Sequence, residues 1–235
     1  MSILLVRPGA LGDTILTLPI VDAISHRRPE QTLTLLGAKQ YEFLMPPHVK
    51  VESFDSIEWT WVFEEDKPCS RLYSSSFDMA YVILKNFHTP VRNLESAGIR
   101  TISASSLPEP ATGIVKTLCE RLSLPVPPRK PYLENFTNNK TSNHVWIAPG
   151  SGSRKKNAPI SLFNYTCNLL KTIGDFEFHV TLGESDTWLL QENDFLDFVE
   201  GISAKVFYKK TLNELVATCC NSCLYIGNDS GASHL

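Results

Sequence analysis

Short apolar runs alternate with longer segments of helical pattern from the second residue onward, and this constrains the chain more than any other feature. Ser2 to Val6 reads as a buried strand, Leu11 to Ser25 as a helix apolar on most faces, and Gln31 to Leu36 as a second strand. Pro19 lies inside the first helix and predicts a kink, because it cannot donate to the Ile15 carbonyl. A short helix is expected near Lys39 to Leu44 and a third strand at Val49 to Phe54. Glu52 to Pro68 is acidic and aromatic, with Trp59, Trp61 and Phe63 alternating, and reads as strand or loop. The rhythm resumes with a strand at Asp78 to Leu84, a helix at Pro90 to Ala97, a strand at Ile99 to Ser103 and a helix at Thr112 to Leu122. Repeated strand–helix alternation implies an α/β fold of parallel sheets covered on both faces.

The pattern breaks once. Pro125 to Pro131 is proline-rich and extended, and Asn135 to Asn143 is almost wholly polar, which marks a linker. A second α/β run follows, with strands at His144 to Ala148, Phe176 to Leu182, Ala204 to Tyr208 and Leu224 to Ile226. Its helices are expected at Ile160 to Lys171, at Asp186 to Phe198, and after the capping box Thr211-Leu212-Asn213-Glu214. The domains expected are therefore residues 1–134, a linker at 135–143 and residues 144–235. Ligands of such sheets bind beyond the carboxyl ends of the strands, which in a two-domain chain predicts a site in the cleft between them.

Composition removes several classes of function. With 43% hydrophobic and 20% charged residues the chain is not disordered. A net charge of −3 and a pI near 6.1 argue against a nucleic-acid partner. No apolar run reaches the roughly 18 residues of a membrane helix, and the N-terminus has no signal pattern, so the expected location is the cytoplasm. Six cysteines, at 69, 119, 167, 219, 220 and 223, read mostly as small buried apolar residues. Cys220 and Cys223 form a C-x-x-C match, but at a helix end rather than at the helix start that activates a thiol.

Four strand ends carry chemistry-bearing residues. Arg7-Pro8-Gly9-Ala10-Leu11-Gly12-Asp13 opens the first helix; its aspartate reads either as a cap or as a functional carboxylate. The loop is not the Gly-x-Gly-x-x-Gly of an NAD-dependent oxidoreductase. Pro149-Gly150-Ser151-Gly152-Ser153-Arg154-Lys155-Lys156-Asn157 combines small residues, a following helix start and three cations, which is the recipe for holding phosphate. After Leu182-Gly183, Glu184 or Asp186 can hold ribose hydroxyls or cap the next helix, and spacing does not decide between them. Gly227-Asn228-Asp229-Ser230-Gly231-Ala232-Ser233-His234 opens the last helical segment.

Together these motifs resemble glycosyltransferase family 9, the ADP-heptose:lipopolysaccharide heptosyltransferases. The likeness rests on Arg7-x-Gly9-Ala10-Leu11-Gly12-Asp13-Thr14 with Leu16-Thr17-Leu18-Pro19, on Phe77 to Leu84, on the loop at Pro149 to Asn157 with Pro159 and Phe163, and on Gly227 to His234. It implies a GT-B fold of two Rossmann-like doubly wound domains facing a cleft, and inverting transfer of heptose from ADP-heptose to the lipid A-linked inner core of lipopolysaccharide. The resemblance makes Asp13 the general base. It assigns Ser151, Gly152, Lys156, Glu184, Asp229, Ser230, Gly231 and His234 to the donor, and Arg7, Gly12 and Lys85 to the acceptor, with no metal or other cofactor. His88 and Arg92 are further acceptor candidates, and His26-Arg27-Arg28 suits peripheral contact with the anionic inner membrane. Ala148 and Ala158 depart from the histidine and tryptophan common at these positions. The second run offers four strands where such a unit has about six, so a truncated C-terminal domain is expected, its exposed last strand making it aggregation-prone or partner-dependent. A binding-only remnant that holds nucleotide sugar without turnover is the alternative function.

Overall fold

In the computed structural model, which describes residues 2–65, 76–107, 113–128 and 142–235, the contacts divide the chain into two units, Met1–Tyr132 and Leu133–Leu235. The expected linker at 135–143 lies almost wholly outside the described residues, as does Cys69. The first unit is built around β1 (Ser2–Val6), whose Ile3, Leu4, Leu5 and Val6 are at most 1% exposed. A strand apolar on both faces needs cover on both. Ile3 and Leu5 pack with Leu18, Ile20 and Ile24 of α1 (Leu11–Arg27), whereas Leu4 and Val6 pack on the other face with Trp59, Trp61 and Val62. Burying each such aliphatic side chain contributes roughly 1.5–3 kcal/mol.

β1 is joined in parallel by β2 (Thr32–Gly37), β3 (Val49–Ser53), β4 (Met79–Leu84) and β5 (Arg100–Ser105), in the order β3-β2-β1-β4-β5. That is the order of the doubly wound dinucleotide-binding sheet without its sixth strand, with the reversal between β1 and β4. The helix α1 continues through Pro19. Trp59 and Trp61 sit at α2 (Thr60–Phe63), a single helical turn, not a strand; both are buried, and their alternation reflects packing of the turn beneath the sheet. Helices α3 (His88–Ser96) and α4 (Ile114–Arg121) complete the unit. After α3, Gly98 takes the left-handed conformation (φ 83°), and after α4 Ser123 does the same (φ 55°). In both cases the next amide returns to the helix, Ile99 to the Leu94 carbonyl and Leu124 to the Cys119 carbonyl, which satisfies carbonyls that the helix end leaves open.

The second unit repeats the plan. β6 (His144–Ala148), β7 (Glu177–Leu182), β8 (Lys205–Tyr208) and β9 (Leu224–Gly227) form a parallel sheet in the order β8-β7-β6-β9. α5 (Ile160–Ile173) and α6 (Asn193–Gly201) bury Phe163, Cys167, Phe195 and Phe198 against Val145, Ile147, Phe178 and Val180 on one face. α7 (Leu212–Cys220) opens on the expected capping box, with the Glu214 carboxylate accepting from the Thr211 amide at 2.7 Å. The helix expected over Asp186 to Phe198 is instead two pieces, a 3-10 segment at Glu184–Gln191 and then α6, with Glu192 extended between them. The first piece starts early because Asp186 caps it from within.

Candidate functional site

In the first unit the turn after β1 fixes Asp13 twice. Its Oδ2 accepts from the Ala10 amide at 3.2 Å, and its Oδ1 lies 2.5 Å from the Arg7 guanidinium. Asp13 therefore does cap α1, as its position at the helix start allows, yet its side chain keeps 43% exposure while Arg7 keeps 8%. Gly9 is required here: a methyl group on it would meet the Asp13 Cβ. Burial pulls the Arg7 guanidinium below its ordinary value, and Asp13 opposes that shift. Arg7 also approaches the Ile83 carbonyl at 3.4 Å at the end of β4, so it is a buried support for Asp13 and not a free surface cation. Lys85, His88 and Arg92 are exposed at and beyond the end of β4, and Gly12 is half-buried in the first turn of α1. The basic cluster His26, Arg27 and Arg28 is exposed throughout, although His26 also lies 2.9 Å from the Asp22 carbonyl and Arg27 donates to the Ser123 carbonyl.

The second unit holds its glycine-rich loop from two sides. Asn228, 7% exposed at the end of β9, accepts from the Ala158 amide at 2.9 Å and donates to the Pro149 carbonyl at 2.6 Å. From the other side comes Asp186, also 7% exposed, whose Oδ2 accepts from the Gly183 amide at 2.9 Å; Ser185 and the Ser151 amide bind the same carboxylate. A methyl group on Gly150 would collide with that carboxylate. Burial pushes the Asp186 carboxyl up, against these hydrogen bonds. The choice that spacing left open is thus resolved locally: Asp186 is the buried cap, and Glu184 is exposed and paired with Lys209 at 3.2 Å.

Ser151 is buried, with Oγ 2.8 Å from the Ser153 carbonyl and 2.6 Å from Asn157 Oδ1. One hydroxyl proton cannot serve two acceptors, and Asn157 Nδ2 is buried without a partner among the described residues. Turning the Asn157 amide over lets Nδ2 donate to Ser151 and satisfies both groups. Ser151 thus shapes the loop from inside, and Gly152, exposed at its crest with open space around its Cα, presents backbone. The loop cations stay accessible. Lys156 forms a long 3.8 Å pair with Asp229, and both side chains are more than half exposed. Arg154 lies 4.3 Å above the Trp188 ring, beside a hollow of about 280 Å³ lined by Pro149, Asn157, Pro159 and Leu189. Ser230, Gly231 and His234 belong to a single 3-10 turn, Gly231–His234, in which the Ser230 amide donates to Ser233 Oγ at 3.2 Å and His234 is exposed.

Asn228 and Asp186 in these holding roles were not foreseen. The tetrad Gly227-Asn228-Asp229-Ser230 put Asn228 beside the expected donor residues, but only the β6–β9 pairing brings it to the Pro149 loop. The C-x-x-C match lies at the end of α7, where burial raises the Cys220 thiol; Cys223, whose Sγ donates to the His144 carbonyl at 3.3 Å, is exposed and so departs from the buried reading that Cys119 and Cys167 follow. No described helix is long and apolar enough to cross a membrane.

No protein-family model and no curated protein matches the chain in sequence. Solved structures do match in fold. Heptosyltransferase WaaC of E. coli with ADP is 12% identical and covers 100% of this chain and 83% of its own, with a TM-score of 0.66. The E. coli ADP-heptose lipopolysaccharide heptosyltransferase II is 15% identical over 98% of this chain and 80% of its own, with a TM-score of 0.66. A glycosyl transferase of family 9 from Veillonella parvula is 16% identical over 99% of this chain and 76% of its own, with a TM-score of 0.67. At 12–16% identity the likeness is one of fold: this chain has the two parallel Rossmann-like sheets of these structures.

Proposed function

We propose that the protein is an inverting glycosyltransferase that moves heptose from ADP-heptose to a lipid A-linked inner-core acceptor at the cytoplasmic face of the inner membrane. The observation that supports this most is the loop at Pro149 to Asn157, a backbone-rich turn clamped by Asn228 and Asp186 with Arg154, Lys155 and Lys156 standing out from it. Such a loop neutralises a leaving diphosphate, and its contribution grows as the anomeric C–O bond breaks and ADP departs with the electron pair. Lys156 would exchange its long contact with Asp229 for phosphate oxygens. Glu184 would accept from the ribose hydroxyls, and Asp229, Ser230, Gly231 and His234 would complete the sugar and phosphate contacts. Ser151 acts through the shape of the loop and Gly152 through its amide.

Asp13 supplies the other half of the chemistry. As the acceptor oxygen attacks the anomeric carbon from the face opposite ADP, its proton passes to the Asp13 carboxylate. A base needs a fixed position and an open lone pair, and the contacts from Arg7 and the Ala10 amide together with the residual exposure meet both requirements. Arg7 is on this reading a positioning residue; Lys85 and Gly12 remain on the acceptor side. The charges that develop are met by loop cations and backbone amides, so the scheme contains no cofactor.

Two paired measurements test the proposal. Calorimetry with ADP is expected to give micromolar binding that Lys156→Ala weakens about tenfold. Mass spectrometry of core oligosaccharide incubated with ADP-heptose is expected to show a one-heptose mass gain. ADP binding without that gain assigns the chain a binding role instead, and failure to bind ADP removes the donor reading altogether.

A further inference from the structure

The amino ends of β6 and β7, at the opposite end of the second sheet from the Pro149 loop, carry a cluster that the transfer scheme does not use. His144 pairs with Glu177 and Trp146 with His179 in parallel register, so His144, Glu177 and His179 project from one face of the sheet. His144 Nε2 and His179 Nε2 lie 3.6 and 3.8 Å from the same Glu177 oxygen, and one ligand atom from each residue falls within 4.8 Å of the other two. His179 Nε2 is buried and has no hydrogen-bond partner among the described residues. A buried ring nitrogen left without a partner is costly, and a ligand at this point would remove the cost.

We propose that His144, Glu177 and His179 bind one divalent transition-metal ion of the zinc class, independently of nucleotide and of the transfer chemistry. Ligand bonds of about 2.0–2.1 Å place donor atoms roughly 3.3 Å apart around a tetrahedral ion, so each histidine has to close on Glu177 by a few tenths of an ångström and the two histidines on each other by at most about 1.5 Å. Two imidazoles and one carboxylate select borderline ions such as Zn²⁺ over the oxygen-seeking Mg²⁺ and Ca²⁺. The fourth position opens on a cavity of about 500 Å³ bounded by Phe207, Lys210, Glu214 and Thr218, where a water can complete the shell. The ion would tie the starts of two adjacent strands together.

The competing arrangement is an ion-pair network without metal. Lys205 already contacts the same Glu177 oxygen at 2.9 Å, and the two imidazole rings pack at 4.4 Å between centroids. Lys205 is 64% exposed on a flexible stem and can pass to the second carboxylate oxygen when an ion arrives. Lys210 keeps its charge engaged elsewhere, 2.9 Å from Thr218 Oγ1 and over the Phe207 ring. Both cations oppose the ion, which sets the expected affinity in the micromolar range. The network alone leaves His179 Nε2 unsatisfied, and the metal does not.

The experiment uses the full chain free of any histidine tag, stripped with EDTA and kept reduced. It is titrated by calorimetry with ZnCl₂ and separately with MgCl₂, and bound metal is counted by elemental mass spectrometry. The wild type is expected to take up one zinc per chain and no magnesium, with a higher Tm in zinc. His144→Asn and Glu177→Gln are each expected to weaken zinc about 100-fold, because both remove a direct ligand. Glu177→Gln changes a half-exposed strand end and decides the matter if the histidine variants fail to fold. A Cys220→Ser, Cys223→Ser variant is expected to bind as the wild type does. Absence of zinc uptake by the wild type, unchanged affinity in Glu177→Gln, or loss of binding in the double cysteine variant would each overturn the proposal.

Discussion

Asp13 and Asp186 stand at matching places in the two units. Each is the third residue of a helical segment that follows a parallel strand, and each reaches back to the amide preceding that segment, Ala10 in one case and Gly183 in the other. Each also sits against a glycine whose missing side chain makes room for it, Gly9 and Gly150. From there they part. Asp13 is paired with a buried arginine and remains 43% exposed. Asp186 has no cation among its contacts with the described residues, is 7% exposed, and takes its hydrogen bonds from Gly183, Ser185 and Ser151. One capping device therefore yields a carboxylate that chemistry can reach and another that braces a loop. The surroundings make the difference: a guanidinium fixes a carboxylate while leaving it in water, whereas backbone amides fix it by enclosing it.

The comparison can be broken at several points. Asp186→Ala strips the partners from the Gly183 and Ser151 amides and is expected to lower stability by about 2–3 kcal/mol in urea titrations, and to weaken ADP binding because the loop loses its brace. If the variant is as stable as the wild type, Asp186 braces nothing. Asn228→Ala frees one amide and one carbonyl at the other side of the same loop, with an expected loss of about 1–2 kcal/mol and a similar weakening for ADP. An ADP affinity unchanged by both substitutions would separate the brace from the nucleotide.

The smallest effect expected is one of pH. Burial raises the folded-state pKa of Asp186 above the ordinary carboxylate value. The folded chain therefore holds this proton more tightly than the unfolded chain, and stability from this group is greatest below the ordinary carboxylate range and falls as pH rises through the raised value. The stability difference between wild type and Asp186→Ala should accordingly widen on going from neutral pH to about pH 4. A difference that narrows over that range would show Asp186 to be favoured in its charged form.

Much of this was readable in the residues. Strands apolar on both faces, such as β1, can only be central strands of a covered parallel sheet, so the fold class followed from patterning. The glycine-rich stretches announced the turns because Gly9 and Gly150 admit no side chain. Three things were hidden. The alternation of Trp59, Trp61 and Phe63 has the period of a strand, but these residues close a single helical turn under the sheet, and local period cannot report a tertiary surface. The brace formed by Asn228 depends on β9 lying beside β6, some 79 residues away in sequence. Whether Glu184 or Asp186 capped its segment depended on which side chain the core had room for, and that is decided by Gly150 in a different loop.

The central claim is that Asp13 is the exposed, reactive member of the pair, and the most direct measurement is the separation of turnover from nucleotide binding in Asp13→Asn. The amide keeps the shape and its oxygen still accepts from Ala10, at the cost of the Arg7 pair, but it cannot take a proton. Turnover with ADP-heptose and core acceptor is expected to fall by about 10²–10⁴-fold, the usual worth of a general base, while the ADP dissociation constant stays within about twofold. Turnover within tenfold of the wild type would contradict the account and return Asp13 to the role it shares with Asp186, a helix cap.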